Sequence, residues 1–193
     1  GVIVSVGDSV PPGVEVIAGE GRTLLPGLID AHTHAYGDAL ERALVFGVTT
    51  ELDMFTDHRF AATMRGQQRA EGALQRADLL SAGTLVTAPK GHGTEYGMPI
   101  PTLAAAGDAQ AFVDARIAEG SDYIKIVYDD GAAFGGRIAT IDRAILGAAI
   151  AAAKARNKLA VVHIGSLTGA DEAIAAGASG LVHIFADAPA DAA

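Results

Sequence analysis

The chain contains no cysteine and no tryptophan, and only 5% of its 193 residues are aromatic. Without cysteine it can form neither a disulfide nor a thiolate metal site, so any metal must be held by His, by carboxylates or by a less common ligand. The lack of thiols fits a reducing compartment, and a cytoplasmic location is the expectation. Positive charge is also scarce: 14 Lys and Arg stand against 23 Asp and Glu, a formal net charge of −9. A surface of that sign repels phosphate backbones, so nucleic acid is not an expected partner. Long hydrophobic runs are missing too. The longest, residues 144–153, is too short to span a bilayer, and no membrane partner is expected. No signal-peptide pattern is visible, but the chain begins with Gly1 rather than Met, so targeting cannot be read from its front.

What is present is an aliphatic chain able to fold. Half of the residues are apolar, which excludes disorder and allows one domain with a sizeable core. Two short β-rich runs, residues 2–6 and 14–17, are separated by Gly7-Asp8 and Pro11-Pro12-Gly13 and read as part of a small β-layer over residues 1–26. From residue 27 onward the pattern alternates. Strands are predicted at 28–30, 48–53, 84–88, 123–128, 159–164 and 180–184. Helices are predicted at 39–46, 59–82, 109–119, 141–156 and 170–176, the second interrupted by Gly66 and Gly72. Strands alternating with helices imply βαβ units and a parallel sheet, and near-continuous apolar strands imply cover on both faces. No Gly-x-Gly-x-x-Gly follows the first strand, so a dinucleotide-binding open sheet loses its main support. A complete (β/α)8 barrel needs eight units and about 250 residues. The expectation over 27–193 is therefore an α/β fold of the TIM-barrel type with only six of its units.

Polar residues that break these strands carry the chemistry. Asp30-Ala31-His32-Thr33-His34 ends the first strand, and residues i and i+2 of an extended chain point the same way, so His32 and His34 offer two imidazoles to one point. Lys125 lies in Tyr123-Ile124-Lys125-Ile126-Val127-Tyr128, among apolar neighbours that force its ammonium to be paired, to snorkel or to lose its charge. Read alone, a pairing with Asp129, Asp130 or Glu51 is the stronger account. A desolvated lysine, however, is a nucleophilic amine that can add carbon dioxide, and the resulting carbamate has two anionic oxygens able to bridge two metal ions. His163 and His183 stand at the C-terminal ends of consecutive strands. In a barrel those ends share the active-site face, and all five groups would converge there.

At this point the sequence resembles the amidohydrolase superfamily. Leu25-Pro26-Gly27-Leu28-Ile29-Asp30-Ala31-His32-Thr33-His34 is similar to its first-strand signature, and Gly47-Val48-Thr49-Thr50 to its entry to the second. Lys125 matches the carboxylated lysine of strand four, and His163 and His183 match the histidines of strands five and six. Gly177-Ala178-Ser179-Gly180-Leu181-Val182-His183 is similar to the run before the strand-six ligand. The nearest likeness is to the imidazolonepropionase-related group that includes Xaa-Pro dipeptidases. The resemblance implies two zinc ions, one on His32 and His34, the other on His163 and His183, bridged by carboxylated Lys125. It implies hydrolysis of an amide or peptide C–N bond in a small-molecule or dipeptide substrate, by a hydroxide between the metals.

The resemblance also sets departures. The strand-eight aspartate that shuttles the proton in the family is expected beyond Ala193. Asp187 and Asp191 read as a surface tail, so no catalytic residue is assigned and the chain is expected to be a fragment of a longer enzyme. An incomplete barrel exposes strand edges, which a second copy in a homo-oligomer would cover. Two rival readings stand beside the binuclear hydrolase: a mononuclear deaminase of the same superfamily, against which Lys125 speaks, and a non-catalytic scaffold.

Other residues divide between site and surface. His92, in the glycine-rich loop 90–101, is a candidate substrate contact or a plain surface histidine. Tyr128, at the end of its strand, is a weaker substrate-binding candidate. His58 reads as a helix-start or surface residue, Asp53 as a hydrogen-bond partner for a ligand histidine, and Asp30 as a turn former. Asp171-Glu172 suit the first turn of a helix.

Overall fold

The computed structural model describes residues 3–7, 9–70 and 75–189. Val2, Asp8, Gly72 and Asp191, which figure in the sequence reading, lie outside them. Six strands and five helices alternate along the described chain: β1 (Leu28–Thr33), α1 (Ala39–Val45), β2 (Val48–Asp53), α2 (His58–Arg69), β3 (Asp78–Ser81), α3 (Ala109–Ala118), β4 (Ile124–Val127), α4 (Arg143–Ala155), β5 (Ala160–His163), α5 (Leu167–Ala175) and β6 (Gly180–Val182).

Every strand pairing is parallel, as right-handed βαβ connections require. The strands form two three-stranded sheets, β1-β2-β3 and β4-β5-β6, rather than one closed barrel. They are stitched together by the extended residue Val86, whose N–H donates to Lys125 O at 2.8 Å and whose carbonyl accepts Val127 N–H at 2.9 Å. Across the other side, the His32 ring beyond the middle of β1 lies 4.6 Å from the His183 ring just after β6. The α/β class and parallel pairing are as the sequence predicts.

Three predicted elements are displaced. The long helix predicted over 59–82 stops at Arg69, and Asp78–Ser81 pairs with β2 from Thr50↔Asp78 to Asp53↔Ser81. Leu79 and Ser81 are buried while Asp78 and Leu80 are exposed, the alternation of a strand with one covered face. The segment predicted as the third strand, 84–88, keeps only its single bridge at Val86. α5 begins at Leu167, three residues early, because the Ser166 hydroxyl accepts the Gly169 N–H at 3.0 Å. Asp171 and Glu172 therefore lie past the first turn. Ahead of Leu28 the described residues form no strand, and Ile3, Val4, Val6, Ile17 and Leu24 are exposed.

The main core lies between the second sheet and its helices. α4 starts where the Asp142 carboxylate accepts the Ile145 N–H at 2.8 Å. Its residues 145, 146, 149, 150 and 153 recur at helical spacing and bury one stripe. That stripe meets Ile124 and Ile126 of β4, Val162 of β5 and Val113 of α3. Each fully buried Ile or Leu side chain contributes about 1.5–3 kcal/mol, so this layer anchors the strand ends that present Lys125 and His163. A smaller cluster of Leu40, Ala61, Ala77 and Leu79 seats α1 and α2 on the first sheet.

Candidate functional site

The C-terminal ends of β1, β4, β5 and β6 open onto one cavity of about 340 Å³, lined by His32, His34, Lys125, His163 and His183 together with His92. All five residues expected to bind metal are thus brought together, along with the first of the two expected substrate contacts. Register accounts for much of this. Lys125 lies opposite Val161, Val127 opposite His163 and His163 opposite Val182, so Lys125 sits one inward position below His163 and His183 follows directly. The rings form a chain in space: His34 to His32 at 5.6 Å between centroids, His32 to His183 at 4.6 Å, His183 to His163 at 4.4 Å and His163 to His92 at 5.0 Å.

Neighbouring groups orient these rings. His34 Nδ1 lies 3.2 Å from the Phe55 carbonyl, which can only accept, so Nδ1 donates the proton there and the ring's orientation is fixed. His163 Nε2 faces the Asp129 carboxylate at 3.4 Å, leaving Nδ1 for other partners. A Cβ on Gly165 would lie 2.8 Å from both Asp129 carboxylate oxygens, so glycine there gives Asp129 its place beside the ring. His183 has φ of 71°, the left-handed region that β-strand residues avoid, which turns its side chain at the strand's end.

Electrostatics favour uncharged nitrogen donors. Burial, then the Lys125 charge and the neighbouring histidines, lower His163 to about 3 and His32 to about 4. The same causes lower His183. Lys125 is 3% exposed, and burial pulls its amine down to about 8, against the opposing pull of Asp53. Among the described residues it forms no ion pair with Asp129, Asp130, Glu51 or any other carboxylate. The ion-paired account of Lys125 that the sequence favours in isolation is therefore not what the fold provides.

Donor chemistry fits a metal. Neutral imidazoles and a deprotonatable amine are the forms that ligate or become ligands. As the side chains stand, no group of three or more His, Cys, Asp or Glu among the described residues could hold an ion alone.

The rest of the cavity is lined by the apolar side chains of Met54, Phe55, Leu85 and Val127 together with Tyr36 and Tyr96. Sequence reasoning named none of the six as lining, because they come from separate loops and strand ends that meet only in the fold. Tyr128 is placed elsewhere: its hydroxyl bonds Glu172, in a groove with Asp129, Asp130 and Thr140. Asp53 is fully buried, but its partners are the Ala35 N–H at 2.9 Å and the Ser81 hydroxyl at 2.5 Å rather than a histidine ring. By holding Ala35 it fixes the backbone immediately after His34. Asp30 accepts the His32 N–H at 3.0 Å, as a turn former does. His58 opens α2, with Nδ1 3.9 Å from Glu119.

No family model matches the chain, and no curated protein matches it. Solved structures do. A Xaa-Pro dipeptidase with methionine bound in its active site is 24% identical, with a TM-score of 0.65 over 81% of this chain and 47% of its own. An ochratoxinase from A. niger is 19% identical, with a TM-score of 0.67 over 82% of this chain and 47% of its own. A molinate hydrolase is 18% identical, with a TM-score of 0.72 over 94% of this chain and 51% of its own. The chain spans about half the length of these structures. At these identities the likeness establishes a shared α/β fold with parallel sheets and nothing of activity.

Proposed function

We propose that this chain carries the metal ligands of a (β/α)8-type hydrolase that cleaves amide or peptide C–N bonds with two zinc ions. The observation that carries this reading is the meeting of His32, His34, His163, His183 and Lys125 in one cavity, with three of the four imidazoles held neutral by burial. His32 and His34 would hold one ion, His163 and His183 the other. When bound, zinc supplies Lewis-acid polarisation of a carbonyl and a lowered pKa for water.

The chain's own residues do the preparation. Lys125, with its amine lowered to about 8, is unprotonated often enough near neutral pH to attack carbon dioxide. The nitrogen lone pair forms the new N–C bond, a C=O electron pair moves onto oxygen, and the nitrogen gives its proton to solvent. The product would be an anion in place of the amine, lining the same cavity as the four imidazoles. Asp129 and the Phe55 carbonyl hold His163 and His34 in orientation. Phe55, Leu85, Met54 and Val127 form an apolar wall that suits an aliphatic or aromatic group next to the scissile bond and excludes water. His92 and Tyr96 stand at the cavity's polar side for substrate contact.

The test is a hydrolysis screen of dipeptides, N-acyl amino acids and aryl amides with zinc-loaded protein. Because no catalytic residue is assigned within this chain, the reading expects zinc-dependent binding of one of these substrates, abolished by chelator and restored by zinc, with turnover expected of the complete hydrolase. Zinc-loaded protein that binds none of these substrates and cleaves none would contradict it.

A further inference from the structure

Glu95 is a residue that no strand pattern or motif singles out, yet it makes one of the closest polar contacts in the site. Its Oε1 lies 2.6 Å from His92 Nδ1, and its Oε2 accepts the Gly93 N–H at 2.5 Å. One carboxylate thus grips both the ring and the backbone beside it. Burial works to raise this carboxyl, but its own backbone N–H, the charge of His92 and the Gly93 N–H outweigh that and hold it below the usual range, ionised. An ionised carboxylate can only accept, so the proton between the two groups sits on Nδ1. Among the described residues, Nε2 of His92 has no protein partner.

The loop is built to keep this arrangement. Lys90 adopts φ of 61°, and a Cβ on Gly91 would strike the Thr87 hydroxyl and lie 2.9 Å from the Ala88 and Ala139 carbonyls. Gly93 has φ of 101°, and a Cβ there would lie 3.0 Å from Leu85 Cδ1, in the cavity wall. The loop is thereby pressed against the cavity, with the His92 ring 5.0 Å from His163 and 5.9 Å from Tyr96.

We propose that Glu95 is a positioning residue: its carboxylate holds the His92 ring through Nδ1–H and so fixes the ring's orientation, leaving Nε2 to meet a polar group of the substrate. The proton on Nδ1 follows from the geometry; the role toward substrate rests on the hydrolase reading.

Nuclear magnetic resonance on metal-free protein labelled with ¹⁵N-histidine tests it. Two-bond ¹H–¹⁵N correlations distinguish the two tautomers, and His92→Gln identifies the signal. The expected result is a His92 ring protonated at Nδ1 in the wild type, moving toward the Nε2–H form in Glu95→Ala. A wild-type ring protonated at Nε2, or a ring unchanged by Glu95→Ala, would overturn the proposal. Zinc content separates the two layers of the argument. Glu95→Ala and His92→Gln are expected to load as much zinc as the wild type, and loss of zinc from either would overturn the substrate-facing role by making His92 a metal ligand. A wild type that loads no zinc at all contradicts the hydrolase reading, while the spectrum still decides the tautomer.

Discussion

The rings of His163 and His183 meet edge to face with centroids 4.4 Å apart, although they belong to different strands and one of them sits at a positive φ. Two imidazoles this close resist being protonated together, since that would place like charges in contact, and burial lowers both. The same condition makes them competent metal donors.

Stability of the metal-free chain is expected to fall as pH is lowered. His163 and His32 are held down to about 3 and about 4 in the native state, whereas an unfolded histidine takes its proton near its ordinary value of 6.5. Below that value the unfolded chain binds more protons than the native one, so native stability drops steadily as pH falls from 6.5 toward 3. Asp53, raised to about 6 mainly by burial, and Glu51, raised mainly by burial as well, work in the opposite sense, but they are two carboxylates against the three lowered histidines His163, His32 and His183. Urea midpoints measured at pH 7.5 and pH 5 check this. His163→Asn is expected to flatten the pH dependence, and an identical slope in the variant would count against the buried neutral histidine.

Replacing Asp53 is expected to damage both fold and site. Asp53→Ala leaves the buried Ala35 N–H and Ser81 hydroxyl without their acceptor, a loss of about 2–4 kcal/mol if neither recruits water. Because Ala35 follows His34 directly, zinc affinity is expected to fall by more than in Ser81→Ala, which removes only one of the two donors. Chemical denaturation and zinc titration report the two effects separately; equal zinc affinity in the two variants would contradict the link from Asp53 to His34.

Gly91→Ala tests the loop. The added methyl meets the Thr87 hydroxyl and the backbone carbonyls of Ala88 and Ala139, which cannot retreat without breaking the Gly91↔Ala139 bridge. Overpacking of this kind costs about 1–3 kcal/mol. The expected outcome is a lowered denaturation midpoint with a shifted His92 ring signal. A midpoint equal to the wild type's would mean the loop is looser than its contacts indicate.

Much of this was legible in the sequence where one residue type had one explanation. Val48–Asp53 is β-branched and apolar between Gly47 and a turn, and it forms β2 with the predicted bounds. His32, His34, Lys125, His163 and His183 stood out because polar groups at apolar strand ends need a reason, and the fold brings all five together. Residues 59–82 were not legible. Ala, Leu and Arg favour a helix, and pairing with β2 overrides that preference to make Asp78–Ser81 extended. Glu95 was hidden because a glycine-rich loop has no period from which a contact three residues away can be read. The apolar wall was hidden because Met54, Phe55 and Leu85 acquire a common function only when separate segments meet. No helix among the described residues is long and apolar enough to cross a membrane, in keeping with the short apolar runs.

The central claim is that Lys125, once carboxylated, joins two histidine pairs into one zinc site. The most direct measurement is zinc content by plasma mass spectrometry on protein loaded with zinc and ¹³C-bicarbonate, for the wild type and Lys125→Ala, with ¹³C resonance of the same samples. The account expects about two zinc ions per wild-type chain and a carbamate carbon signal, with both lost in Lys125→Ala. Equal zinc in the two proteins, with no carbamate signal in either, would contradict it.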